Sequence, residues 1–88
     1  MGKYDKLLQR IMSGDSDANI PFTDLTRLLT HFGFDERVRG DHHIFSRSDI
    51  EEIINIQPNG SKAKPYQVKQ IRNLIFKYKL GADDVGQI

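Results

Sequence analysis

The apolar residues of this chain change their spacing at Gly33. Before Gly33 they recur three or four positions apart, as at Leu25, Leu28 and Leu29, which is the pattern of a helix with one apolar face. After Gly33 they alternate with polar residues, which is the pattern of a strand with one buried face. This change from helical to strand spacing predicts an α+β fold.

Three segments carry the helical pattern. They are residues 3–13, residues 23–33 and residues 65–81. Gly14 is a natural end for the first helix, and Thr23 is a suitable N-cap for the second because its hydroxyl can accept a backbone N–H bond. Pro65 suits the first turn of the last helix, where its missing N–H has no partner to lose. Gly81 is the predicted end of that helix.

Three strands are predicted between the last two helices. They cover residues 34–39, 42–47 and 53–57, with a turn at Gly40 and Asp41. Alternation places His42 and Ile44 on one face of the second strand and His43 and Phe45 on the other. The order is α-α-β-β-β-α, and we expect a three-stranded antiparallel sheet that packs one face on the helices and leaves the other open.

Length and composition set limits on the class of protein. The 88 residues contain no repeat or long linker, so residues 1–88 are expected to form a single domain, with residues 82–88 as a loose tail. A core of this size leaves chemistry to an open face. The absence of cysteine excludes disulfides and thiolate metal sites. No long apolar run marks a signal peptide or membrane span, so we expect a soluble, cytoplasmic protein.

The charges are distributed unevenly, although the formal net charge is only +1. Ten of the 12 acidic residues lie between Asp5 and Glu52, whereas residues 59–81 contain six basic residues and no acidic one. Such a segment is either a surface that binds an anionic partner or a solvated helix face.

The adjacent residues His42 and His43 are the best candidates for chemistry near neutral pH. A metal site is disfavoured, because strand neighbours point to opposite faces and no third ligand stands at a suitable spacing. The run from Asn59 to Lys62 lacks the full pattern of a phosphate-binding loop. Ser46 on the His42 face lacks the elbow and oxyanion motifs of a serine hydrolase.

RNA cleavage requires fewer catalytic groups from a protein than these alternatives do. Because RNA carries its own nucleophile, the 2′-hydroxyl, one or two proton-transfer groups and nearby cations are sufficient, without a metal or a cofactor. His42 beside basic groups on an open sheet face fits that requirement. The same pattern also fits a polar residue on the surface of a strand.

From about Phe22 to Lys79 the chain resembles the HicA family of bacterial toxin–antitoxin toxins. The residues that carry the resemblance are Gly33-Phe34 at a helix end, Gly40-Asp41-His42-His43-Ile44-Phe45, the third strand, Lys64-Pro65, and Val68 and Ile71 of the last helix. The resemblance implies a fold like the double-stranded-RNA-binding domain. It also implies a small endoribonuclease that cleaves messenger RNA without metal, cofactor or membrane.

The resemblance also implies roles for individual residues. The family's catalytic histidine falls on His42, as general acid or base, within the motif that includes Gly40 and Asp41. The candidate phosphate-binding residues are Arg39, Lys62 and Lys64. The implied partners are messenger RNA and a cognate HicB-like antitoxin protein that covers the His42 face.

Two features depart from the family pattern. Residues 1–14 add a helix to the minimal family fold over residues 22–79. Asp41 stands where the family usually has serine or threonine, and its carboxylate either orients His42 or repels an RNA phosphate. Asp41 therefore keeps a second hypothesis open, a non-catalytic RNA-binding module or inactive toxin relative of the same fold. A third is a protein-interaction domain that uses its open sheet edge.

Overall fold

The helices and strands occur in the predicted order. The computed structural model describes residues 4–81. It contains the helices α1 (Asp5–Ser13), α2 (Phe22–His31) and α3 (Pro65–Tyr78), and the strands β1 (Asp35–Arg39), β2 (His42–Arg47), β3 (Ile50–Ile56), β4 (Pro58–Asn59) and β5 (Lys62–Ala63). The α+β class and the order of the main elements are thus confirmed. The expected tail, residues 82–88, and the expected first residue of the first helix, Lys3, lie outside the described residues.

The sheet has the antiparallel order β1-β2-β3. Arg39 pairs with His42, so Gly40 and Asp41 form a two-residue turn. Gly40 has a φ of +61°, whereas Asp41 has a negative φ, and this combination is typical of a type II′ turn, whose twist matches that of the two strands. The turn thereby sets the register of the hairpin and places His42 at the first position of β2.

The inner face of the sheet and all three helices form one hydrophobic core. β2 and β3 contribute Phe45, Ile54 and Ile56, each with no exposed surface. The fully buried helical side chains are Ile11 of α1, Leu25, Leu28 and Leu29 of α2, and Val68 and Ile71 of α3. Burial of one such side chain contributes about 1.5–3 kcal/mol to folding, so the core fixes the sheet with its other face outward.

Several predicted boundaries are wrong, including the start of β1, which is Asp35 rather than Phe34, and the end of β3, which is Ile56 rather than Gln57. α2 begins at Phe22, with Pro21 rather than Thr23 at the N-cap position and no side-chain cap. β3 begins at Ile50 rather than Ile53, because Ile50 is buried and pairs with Arg47 beyond an irregularity in β2. α3 ends at Tyr78 rather than Gly81, because the next residue already has a left-handed φ of 54°.

A small hairpin, β4–β5, lies between β3 and α3, where the sequence pattern predicts no strand. Its strands have two residues each and pair Pro58 with Ala63 and Asn59 with Lys62. The segment before α2 stabilises the hairpin, because the Ala63 N–H donates to the Ile20 carbonyl at 2.9 Å. The consequence is that the chain returns toward the end of β3 just before Lys64.

Arg72 of α3 connects the N-terminal helix to the rest of the fold. Its Nη1 donates to the carbonyl of Ile11 at 3.0 Å and to Oδ1 of Asp17 at 2.9 Å. The guanidinium is largely buried, so these charge-assisted bonds also satisfy a group that would otherwise be costly to desolvate. α1 is therefore an integral part of the packed structure.

The stability of the protein is expected to fall in acid through Glu52 of β3. Glu52 accepts hydrogen bonds from Lys77 at 2.7 Å and from Tyr78 at 2.5 Å, and these bonds lower the pKa of Glu52 from 4.5 to about 2. A folded-state pKa below the unfolded value gives stability that is complete above about pH 4.5 and is lost as the pH falls toward 2. Thermal unfolding of the wild type should therefore shift to lower temperature across this window.

The matched variant for this prediction is Glu52→Gln, which keeps the size of the side chain and cannot ionise. We expect it to unfold at a lower temperature than the wild type at pH 7, and the difference between the two proteins to shrink between pH 4.5 and 2. A difference that stays constant over this window would contradict the role of Glu52.

Candidate functional site

The outer face of the sheet carries His42. Residues paired directly across an antiparallel sheet share a face, so Arg39 lies beside His42 and Arg37 lies beside Ile44. On β3 the burial of Ile54 and Ile56 leaves Asn55 on this outer face, opposite Ile44. The open face therefore combines one histidine, two arginines and one carboxamide.

His43 points to the inner face, as predicted. Its ring lies edge-on to the Phe22 ring with 4.8 Å between centroids, and its Nδ1 lies 2.6 Å from Glu36 Oε2. Glu36, which interrupts the apolar pattern of β1, is exposed and pairs with His43. The two histidines thus have different surroundings, and His43 contributes to packing between the sheet and α2.

The His42 ring is held by two carboxamides. Its Nδ1 lies 3.1 Å from Asn55 Oδ1, and its Nε2 lies 3.2 Å from Gln57 Nε2. An amide oxygen only accepts and an amide nitrogen only donates, so both contacts are satisfied when the imidazole is neutral with its proton on Nδ1. The lone pair then lies on Nε2. The side chain is 47% exposed, and the Gln57 amide occupies the position next to Nε2.

Gln57 connects His42 to two other predicted site residues. Its Nε2 also donates to Asp41 Oδ1 at 3.3 Å, and its Oε1 accepts from Lys64 Nζ at 3.2 Å. Asp41 Oδ1 itself lies 3.9 Å from His42 Nε2. Asp41, His42 and Lys64 therefore form one hydrogen-bonded cluster with Gln57 at its centre.

The remaining predicted site residues lie outside this cluster. Arg39 is exposed next to His42, and within residues 4–81 its guanidinium has no hydrogen bond or ion pair. Lys62 lies on β5 opposite Asn59, and its side chain does not join the cluster. Gly40 shapes the turn before Asp41. Arg39 consequently supplies an uncompensated positive charge beside His42, whereas Lys62 is placed on a separate hairpin.

Asn55 and Gln57 are members of the cluster that the sequence analysis missed. Both lie in the segment predicted as the third strand, two positions apart and out of phase with the buried Ile54 and Ile56. That spacing was a usable signal, because it places two carboxamides on the open face of a strand otherwise rich in isoleucine. Their pairing with His42 depends on the register between β2 and β3.

The described residues contain neither a candidate metal site nor a membrane-spanning helix. No group of three or more His, Cys, Asp or Glu side chains within residues 4–81 has a geometry that could hold a metal ion. No helix among the same residues is long and apolar enough to cross a membrane.

Comparison with known proteins decides the family. A family model described as "HicA toxin of bacterial toxin-antitoxin" matches residues 22–77. The chain belongs to the HicA toxin family. The matched segment of this HicA toxin contains α2, the whole sheet and nearly all of α3, and it leaves out α1. No curated protein and no solved structure matches the chain.

Proposed function

We propose that this HicA-family toxin is a metal-independent endoribonuclease that cleaves messenger RNA, with His42 as its proton-transfer group. The observation that carries the proposal is the set of contacts of the half-exposed His42 ring, with Asn55 Oδ1 at Nδ1 and the Gln57 amide nitrogen at Nε2, where the hydroxyl of a substrate could replace the amide. A base for RNA cleavage needs that lone pair within reach of the 2′-hydroxyl, and a flat sheet face admits an RNA strand.

The proposed reaction uses the hydroxyl of the substrate itself. His42 Nε2 takes the proton of the 2′-hydroxyl while its oxygen bonds to the adjacent phosphorus. The bond from phosphorus to the 5′-oxygen breaks, and the departing oxygen takes a proton from water. The products are a 2′,3′-cyclic phosphate and a free 5′-hydroxyl, and His42 then returns its proton to solvent.

Positive charge near His42 supports phosphate binding and the transition state. Arg39 stands beside His42 without an acidic partner in the described part of the chain, and Lys64 reaches the site through Gln57. Their charges would offset the negative charge that builds up on the phosphate oxygens during the attack. Lys62, on the hairpin before Lys64, is proposed to contact a phosphate further along the strand.

A second candidate function is RNA binding without cleavage. The observation that favours it is Asp41, whose carboxylate is 67% exposed and lies 3.9 Å from His42 Nε2. A negative charge at this distance would repel an incoming phosphate, unless the Gln57 amide and nearby cations offset it. The hydrogen bond that Gln57 donates to Asp41 provides part of this offset and so supports cleavage over binding alone.

Membership of a toxin–antitoxin family implies an antitoxin as the protein partner. We propose a HicB-like antitoxin that covers the outer face around His42 and so excludes RNA. We also propose that the free toxin acts in the cytoplasm, where messenger RNA is present.

The proposed function is tested by incubating the purified protein with end-labelled single-stranded RNA in EDTA. We expect cleavage products that end in a 2′,3′-cyclic phosphate and a 5′-hydroxyl, because neither the nucleophile nor the base requires a metal. Binding without cleavage would support the second candidate. Cleavage that appears only when Mg²⁺ replaces EDTA would contradict the metal-independent reaction.

A further inference from the structure

Gln67 is a polar side chain within the core, on the first turn of α3. Only 2% of it is exposed, although glutamine is normally a surface residue. A buried carboxamide without hydrogen-bond partners would be costly to desolvate. The hydrogen-bond partners of Gln67 therefore indicate the role of this buried side chain.

Two partners of the Gln67 amide belong to the backbone of Gln57, and the Tyr66 hydroxyl lies 3.5 Å from the same amide. In the orientation that satisfies donors and acceptors together, Gln67 Nε2 donates to the Gln57 carbonyl at 3.1 Å and Gln67 Oε1 accepts from the Gln57 N–H at 3.2 Å. The ladder between β2 and β3 has its last pair at His43 and Ile56. The Gln67 side chain thus takes the place of a neighbouring strand for the first residue beyond β3.

These two hydrogen bonds fix the backbone of Gln57, and with it the point from which the Gln57 side chain extends. Gln57 Nε2 donates to His42 Nε2 at 3.2 Å, while Lys64 determines which end of the amide is the oxygen by donating to Oε1. As long as Gln57 donates there, the His42 proton belongs on Nδ1, where Asn55 accepts it. A 2′-hydroxyl is also a donor, so it can replace the Gln57 amide at Nε2 without a change of tautomer.

We infer that Gln67 is a positioning residue, which holds Gln57 so that His42 keeps its proton on Nδ1 and its basic lone pair on Nε2. The link to catalysis rests on the proposed function, whereas the link to the tautomer does not. Gln67 itself is buried and does not contact the substrate. Its effect reaches His42 only through Gln57.

The test compares Gln67→Leu with Ile71→Val, a fully buried position one turn further along α3 that serves as the control for lost packing. The first measurement is the imidazole ¹⁵N spectrum of His42 at about pH 8, where an ordinary histidine is neutral. We expect one tautomer, protonated on Nδ1, in the wild type and the control, and a mixture in Gln67→Leu. The second is RNA cleavage, with kcat about tenfold lower in Gln67→Leu and KM little changed.

Two further variants keep the inference falsifiable. Gln67→Glu preserves the acceptor for the Gln57 N–H and is expected to give an intermediate mixture of tautomers even if Gln67→Leu does not fold. In a Gln57→Ala background, Gln67→Leu should lower kcat no further, because its only route to His42 has been removed.

The outcomes separate the inference from the proposed function. A His42 protonated on Nε2 in the wild type, or an unchanged tautomer in both Gln67 variants, overturns the positioning role. If the wild type cleaves no RNA, the proposed function fails, and the ¹⁵N spectra still decide whether Gln67 sets the tautomer.

Discussion

Replacing His42 with alanine will greatly reduce the rate of RNA cleavage and leave the fold intact. The expected loss is about 10²–10⁴-fold, the usual contribution of a single general base or acid. The fold should survive because 47% of the side chain is exposed and its partners Asn55 and Gln57 can bind water instead. The measurements are the rate of cleavage in EDTA and the thermal unfolding temperature of each protein.

His43→Ala is the matched control, since it removes the same side chain from the next position on the opposite face. Its loss of contacts with Phe22 and Glu36 should lower the unfolding temperature. The rate of cleavage per folded molecule should remain close to that of the wild type. Cleavage at full rate by His42→Ala, or a greater loss of rate in His43→Ala, would refute the assignment of His42.

Replacing Phe45 with alanine will have the largest effect on stability. Phe45 has no exposed surface and lies opposite Glu36 on one side and Ile54 on the other, in the centre of the sheet. Truncation of such a ring costs about 3–5 kcal/mol, a large part of the total stability of a small domain. Urea unfolding followed by circular dichroism measures this loss as a lower midpoint.

The control for Phe45→Ala is Ile53→Ala, on the neighbouring strand. Ile53 is 63% exposed, so its truncation should change the free energy of unfolding by no more than about 0.5 kcal/mol. Equal effects of the two substitutions would mean that the sheet buries its other face. In that case the open face described for His42 would be wrong as well.

Much of the fold follows from local patterns. The stripe of Leu25, Leu28 and Leu29 determines α2, and alternation in β2 determines that His42 and His43 face opposite ways. Gly40 marks the turn between β1 and β2 because a left-handed φ there suits glycine. The pattern does not predict that α3 ends at Tyr78. The left-handed residue that follows is Lys79, and lysine seldom adopts a left-handed φ.

The early start of β3 and the hairpin β4–β5 were not predictable in this way. Ile50 joins β3 because the core buries it, and the sequence around it reads as a polar turn. The hairpin has only two residues in each strand, too few for a pattern, and it is held by contacts with the segment before α2. Both features depend on partners distant in the sequence.

The sequence alone therefore determined the class of fold, the sheet face on which His42 lies and, by resemblance, the family. The tertiary structure decided which groups surround that histidine. Asn55 and Gln57 are 13 and 15 residues from His42, and they meet it only because the register of β2 and β3 and the hairpin before Lys64 bring them there. Local preferences act over a few residues, whereas register follows from the burial of a whole sheet face, which only the folded chain determines.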